Sequence, residues 1–169
     1  MTKIKKITIA ITTIGITIIG YWLLSPLFIQ RKVNEGIEEI MQEQLKSNST
    51  KTSETTASTG QETIRLGTFI GADNFHRATG TVRLIKIAEK YYVRFEDDFT
   101  ITNGPDLFIH FGNNGTYAAG ARLSDLKGNI GSQNYEVPKN IDPLQYSEVW
   151  IWCRAFSVPF AYARLQDRK

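Results

Sequence analysis

The chain has 169 residues, enough for one domain of ordinary size with extensions and too few for a two-domain enzyme. Its composition, 41% hydrophobic and 22% charged, is that of a globular protein and excludes wholesale disorder, and its single cysteine excludes an internal disulfide and any multi-cysteine zinc or iron–sulfur site. The net charge of +3 is unevenly spread: residues 1–32 carry five Lys/Arg and no acid, residues 33–62 two against six, and residues 63–169 thirteen against eleven, so the clustered basic face of a nucleic-acid binder is not expected.

No charged residue occurs from Ile7 to Gln30, and Ile7–Ile29 is dominated by Ile, Leu, Thr and Gly. A helix of ~23 residues is roughly 34 Å long, enough to cross a hydrocarbon core of about 30 Å. The pattern predicts a single membrane span. A cleaved signal peptide has a shorter apolar core followed by a small-x-small site, and Leu24-Ser25-Pro26-Leu27-Phe28 offers none. Lys3, Lys5 and Lys6 precede the span, whereas Arg31 and Lys32 are backed by Glu35, Glu38 and Glu39. The positive-inside bias thus puts the amino terminus in the cytoplasm and the rest of the chain outside the plasma membrane.

After the anchor (residues 1–32), residues 33–63 are expected to form a short helical stalk and a linker. Val33, Ile37, Ile40, Met41 and Leu45 recur at helical spacing, which predicts a solvated extension of the membrane helix rather than a self-associating coil. Residues 47–63 hold ten Ser/Thr among seventeen and too little apolar surface to offset ordering, so they read as a flexible tether.

From Ile64 to the end, β-branched and aromatic residues alternate between glycine punctuation. Strands are predicted over Ile64–Gly71, Gly80–Ala88, Tyr91–Ile101, Asp106–Gly112, Glu148–Phe156 and Pro159–Leu165, with turns at Glu89-Lys90, Asn103–Asp106 and Gly112–Gly115. The fold class is all-β, an antiparallel sandwich or barrel-like domain over residues 64–169. In Tyr91–Ile101 one face holds Tyr91, Val93 and Phe95 and the other Tyr92, Arg94 and Glu96, the pattern of a half-buried strand. Glu148–Phe156 is apolar on both faces, with Val149, Ile151 and Cys153 on one and Trp150 and Trp152 on the other, so it is expected at the sheet centre.

No glycine-rich phosphate loop and no nucleophile elbow is present. His110 alternates with Ile109 and Phe111, which favours a structural histidine, and His76 beside Arg77 reads as a loop side chain. Glu96, Asp97, Asp98 and Asp106 are the densest carboxylates; they could recruit a hard cation, but no calcium-loop spacing is present, and turn-shaping acids fit better.

Gly80-Thr81-Val82-Arg83-Leu84, Phe95 through Asn103-Gly104-Pro105-Asp106-Leu107, Leu126-Lys127-Gly128-Asn129-Ile130-Gly131-Ser132-Gln133-Asn134-Tyr135, and Val149 through Val158 follow one another in order. Together they resemble the DM-thirteen domain family over roughly residues 64–166. The resemblance implies an electron-transfer role centred on one cysteine, acting as a thiol or as a ligand to a redox prosthetic group such as haem. That cysteine falls on Cys153, and a second ligand would have to come from His110 or His76, since Met1 and Met41 lie outside the β-rich segment. Haem attachment through Cys-x-x-Cys-His is excluded. On the residues alone, Cys153 beside Val149 and Ile151 reads as a buried, inert thiol. Two functions follow: a membrane-tethered, extracytoplasmic redox domain with a redox partner protein, or a non-catalytic module that binds a protein or glycan through Tyr91, Tyr92, Tyr117 or Tyr146. A weaker third is a cation-dependent binding domain using Asp97, Asp98 and Asp106. Whether the chain is an enzyme stays open.

Overall fold

A computed structural model describes residues 3–48 and 61–167. Two helices, α1 (Lys3–Phe28) and α2 (Ile37–Asn48), precede eleven strands: β1 (Glu62–Gly71), β2 (Ala78–Thr79), β3 (Thr81–Ile87), β4 (Lys90–Phe95), β5 (Thr100–Ile101), β6 (Leu107–Asn113), β7 (Thr116–Asp125), β8 (Gln133–Glu136), β9 (Glu148–Cys153), β10 (Val158–Arg164) and β11 (Gln166–Asp167). The tether expected around residues 47–63 falls largely on residues 49–60, outside the described residues.

The main sheet is antiparallel in the order β7-β6-β9-β10-β1-β3-β4-β8, with β11 added to β1; β2 and β5 form a separate pair. The sheet is continuous through β1, which pairs with β10 by residues 69–71 and with β3 by residues 62–68, and it curls into a half-barrel, in keeping with the expected antiparallel sandwich or barrel-like class. Register shifts between β1 and β3, between β9 and β10 and along β6–β7 supply the local twist that curling needs. The concave side encloses the core, in which Phe69, Phe95, Phe99 and Tyr135 meet edge-on or tilted with ring centroids 4.6–5.2 Å apart. Gly80, at φ +112°, permits the close crossing over Phe99, whose Cα would lie 2.4 Å from an added Cβ.

All six predicted strands are present with shifted ends, and Asn114 and Gly115 (φ 55° and 77°) make the tight turn between β6 and β7. Tyr91–Ile101 is interrupted: β4 ends at Phe95, and a turn at Asp97-Asp98 precedes β5. Asp98 holds that turn by accepting from the Thr81 amide and hydroxyl at 2.8 Å. β9 is central, between β6 and β10.

The amino-terminal region departs from expectation. Among the described residues no helix is long and apolar enough to cross a membrane; the expected span continues through residues 22–28, whose side chains lie outside the described ones. Residues 31–36 are not helical but extended along residues 129–134, joined by the parallel bridge Lys32↔Ile130. Helix α2 then packs Ile37, Ile40 and Met41 against Ile85, Ile87 and Tyr92, a second small core. The outer face of β4, expected to be solvated, is covered by this segment: Tyr92 is buried and donates no surface, and Gln44 Nε2 donates to its hydroxyl at 3.1 Å. Met41, expected outside the domain, is therefore one of its packing residues.

Candidate functional site

Cys153 closes β9 and is fully buried. Its partners across the ladders are Leu107 on β6 and Val158 on β10, and Val149 and Ile151 share its face, so the sulfur belongs to the main core. This is the apolar surrounding that the alternation along the strand implies.

His110 lies on the other side of the same sheet. Opposed residues of an antiparallel pair share a face. His110 stands opposite Trp150, and Leu107 opposite Cys153, so Leu107, Ile109 and Phe111 face the core with Cys153 while Phe108 and His110 face outward with Trp150 and Trp152. The two residues expected to share a prosthetic group are separated by the sheet itself, and they do not fit a group held by both. His76 does not join them either: it sits in the loop after β1, its Nδ1 2.7 Å from Asp73 Oδ2 and its ring over Phe160. The hydrogen bonds from His76 hold the Asp73 carboxyl below the usual carboxylate range.

The outer face around His110 is aromatic. Tyr117 lies 4.2 Å from Trp152 and 5.2 Å from His110 between ring centroids, and Trp150 stacks on Tyr162 at 5.1 Å. Phe108 is capped by the guanidinium groups of Arg122 and Arg154 at 3.7 and 4.8 Å. His110 is 7% exposed and its Nδ1 has no partner. Burial first, with the Arg122 charge, holds its pKa below the ordinary histidine value, against a backbone hydrogen bond with Ala118 that acts the other way. Glu148, 3% exposed on this face, accepts from Trp150 Nε1 at 2.9 Å and from the Gly115 amide, which anchors the β6–β7 turn to β9.

Of the four carboxylates weighed as a cation site, Glu96, Asp98 and Asp106 take separate structural roles. Glu96 is paired with Arg83 and Arg94, Asp98 caps the Thr81 turn, and Asp106 accepts from Arg154 at 2.8 Å. Among the described residues no three His, Cys, Asp or Glu side chains form a metal-holding group. Of the tyrosines expected to form a binding surface, Tyr92 is buried under α2, Tyr146 is stacked on Phe111, and Tyr117 belongs to the outer aromatic group.

A cavity of about 380 Å³ opens beside Leu107, between the 103–107 and 125–129 loops, with Ile29 and Arg31 forming its far wall. Leu107 both lines this cavity and pairs with Cys153 across the β6–β9 ladder. Sequence reasoning missed the cavity because its wall comes from residues assigned to the membrane flank.

A protein-family model described as Electron transfer DM13 matches residues 68–165, more than half of the chain. Neither the curated proteins nor the solved structures contain a match.

Proposed function

Because the chain belongs to the Electron transfer DM13 family, we propose that it is a membrane-tethered electron-transfer module in which Cys153, as a thiol, is the redox-active residue. The observation that carries the reading is the coincidence of the matched segment, residues 68–165, with the chain's sole cysteine, enclosed at 0% exposure on the central strand. Enclosure by Leu107, Val158 and Ile151 shields the sulfur from bulky reactants, so its exchange with a partner needs local opening at that end of β9. On this reading a small reactant would approach through the cavity that Leu107 lines. Cys153 and His110 lie on opposite faces of the sheet and so could not hold one haem between them.

The tether reading is supported by α1, in which Ile7, Ile9, Ile11, Ile14, Ile16, Ile18 and Ile19 are all more than half exposed although no charged residue occurs from 7 to 30. An uncharged, isoleucine-rich stretch uncovered by protein suits lipid better than water. The charge asymmetry favours an outward-facing β domain at the plasma membrane.

Equilibrating the full chain in glutathione buffers of graded potential and reading Cys153 by mass spectrometry tests the thiol role. Reversible oxidation at Cys153 without loss of the folded state supports it. A thiol unchanged at every potential until the protein unfolds, together with Cys153→Ala retaining full electron transfer to the membrane fraction's acceptors, rejects it. Carbonate extraction tests the tether: the chain stays in the pellet if it is anchored.

A second reading, a non-catalytic binding module, is favoured by the outer aromatic face, which continues from Tyr162 to the exposed Ile70 and Leu66. Trp152→Ala would abolish binding by such a module and leave Cys153 oxidation unchanged.

A further inference from the structure

Residues 126–135 and Arg94 form a groove that reads an extended chain. In it lie residues 31–36, and every second residue is paired through its backbone. The Arg31 carbonyl accepts from the Asn129 amide at 3.0 Å, the Val33 amide donates to the Ile130 carbonyl at 2.9 Å, and the Glu35 amide donates to the Ser132 carbonyl at 3.0 Å. This is strand addition to a loop edge.

The groove also reads side chains. The Glu35 carboxylate accepts from Lys127 Nζ through both oxygens at 2.8 Å and from the Asn134 amide at 2.8 Å. Its carbonyl accepts from Arg94 Nη1 and Ser132 Oγ, each at 3.1 Å. Arg94 is 8% exposed, and a guanidinium that buried needs each of its acceptors. The floor is shaped for backbone approach: a Cβ on Gly128 would lie 2.5 Å from the Arg31 carbonyl oxygen and 2.6 Å from Val33 Cγ2, and one on Gly131 2.2 Å from the Val33 oxygen. The chain that lies over Gly128 leaves no room for a side chain there, and Gly131 is held to glycine both by that chain and by its own φ of +90°.

We propose that this groove is a peptide-recognition site for an extended acidic segment of the form apolar-x-Glu-Gly, with Val33-Asn34-Glu35-Gly36 as its resident ligand in cis. The segment binds through its own contacts, without help from the covalent connection through residues 49–60. The consequence is that the β domain stays attached to α1 when that connection is cut. The inference is independent of the redox reading of Cys153.

The test uses the full chain in detergent with a specific protease site placed within residues 49–60, cut after purification and passed over a sizing column at micromolar concentration. The two pieces are expected to elute together in a one-to-one complex. A synthetic peptide of residues 29–48 should release the amino-terminal piece, and the same peptide carrying Glu35→Ala should need about tenfold to hundredfold more, the loss expected for hydrogen bonds to a charged group. In cut Gly128→Ala the pieces should separate, while the uncut variant melts as cooperatively as the parent. Should Gly128→Ala fail to fold, Glu35→Ala in the full chain, which leaves the β domain unaltered, gives the same separation. Pieces that part as soon as the parent is cut, pieces held as tightly in the variants as in the parent, or a complex with two β domains would each overturn the proposal.

Discussion

Replacing Cys153 by alanine and by serine gives two losses of different origin. Alanine removes one atom from a site that is fully enclosed between Leu107, Val158 and Ile151, comparable to deleting one buried methylene, which costs about 1 kcal/mol. Serine nearly preserves the volume but buries a hydroxyl where the neighbours are apolar, and an unpaired buried hydroxyl costs about 1–3 kcal/mol. For a domain of roughly 100 residues each kcal/mol lowers Tm by about 4–8 °C. The alanine variant should therefore melt about 4–8 °C below the parent, and the serine variant no higher than the alanine one. Melts of the full chain followed by circular dichroism measure the order, and iodoacetamide labelling should modify Cys153 only as rapidly as the domain opens. A serine variant that melts with the parent, combined with labelling as fast in the folded as in the unfolded chain, would refute the enclosure from which both magnitudes were drawn.

Leu107→Ala should cost about 2–5 kcal/mol and join the neighbouring cavity to the Cys153 site, raising the labelling rate of the folded protein; an unchanged rate would show that Leu107 is not the barrier. Gln133, fully buried, donates to the carbonyls of Gly128 and Gly131 and accepts from the Gly128 amide and the Tyr135 hydroxyl, so Gln133→Leu, at about 1–3 kcal/mol for each group left unpaired, should lower the urea midpoint more than any single core truncation of similar volume. Burial lowers the His110 pKa in the fold, so the unfolded chain binds more protons once the pH drops toward about 6.5. Its contribution is intact above that value and is lost as the pH falls toward the depressed folded value. Tm should fall more steeply from pH 7 to pH 5 in the parent than in His110→Phe, and parallel profiles would exclude His110 as the cause.

The strands that were legible in the sequence are runs of β-branched and aromatic residues long enough to stand out from the turns around them. β3, β4, β6 and β9 each place Val, Ile, Leu or Phe on the concave face, and β6 and β9 are buried on their other face as well, so composition marks them where alternation does not. β7 was not legible: Thr116–Asp125 reads TYAAGARLSD, and only Ala121 is fully buried, because it is an edge strand that covers little core. β8 is four residues long and forms through pairing with β4, which no local pattern announces. Cys153 was legible as a buried position; His110 is buried too, with its Nδ1 unpartnered. Their separation follows from the pairing of His110 with Trp150 and of Leu107 with Cys153, a register that links two distant strands.

The helix over Ile37–Asn48 was legible from its spacing; the extended run before it and the packing of both on the β domain were not, for a physical reason that also explains the Leu126–Tyr135 motif. Arg31, Lys32, Glu35, Glu38 and Glu39 form a charged flank after an apolar stretch, and at the level of composition such a flank belongs to the solvent beside a membrane. Its role is set by backbone: Arg31, Val33 and Glu35 pair with residues 129–132, and a backbone ladder leaves no trace in side-chain periodicity. On the receiving side, the pattern Lys127-Gly128-x-x-Gly131-x-Gln133-Asn134-Tyr135 has no alternation of its own. Each residue answers a contact made by the extended segment or by the loop beneath it: Lys127 holds the Glu35 carboxylate, Gly128 and Gly131 admit the strand, Gln133 fastens both glycine carbonyls, and Asn134 takes the Gly36 carbonyl at 3.0 Å. A motif of this kind describes a receptor and not an element. It becomes readable only beside its ligand, which in this chain lies 98 residues earlier at the Asn34–Ser132 contact and follows Ile29 and Arg31, the far wall of the cavity beside Leu107.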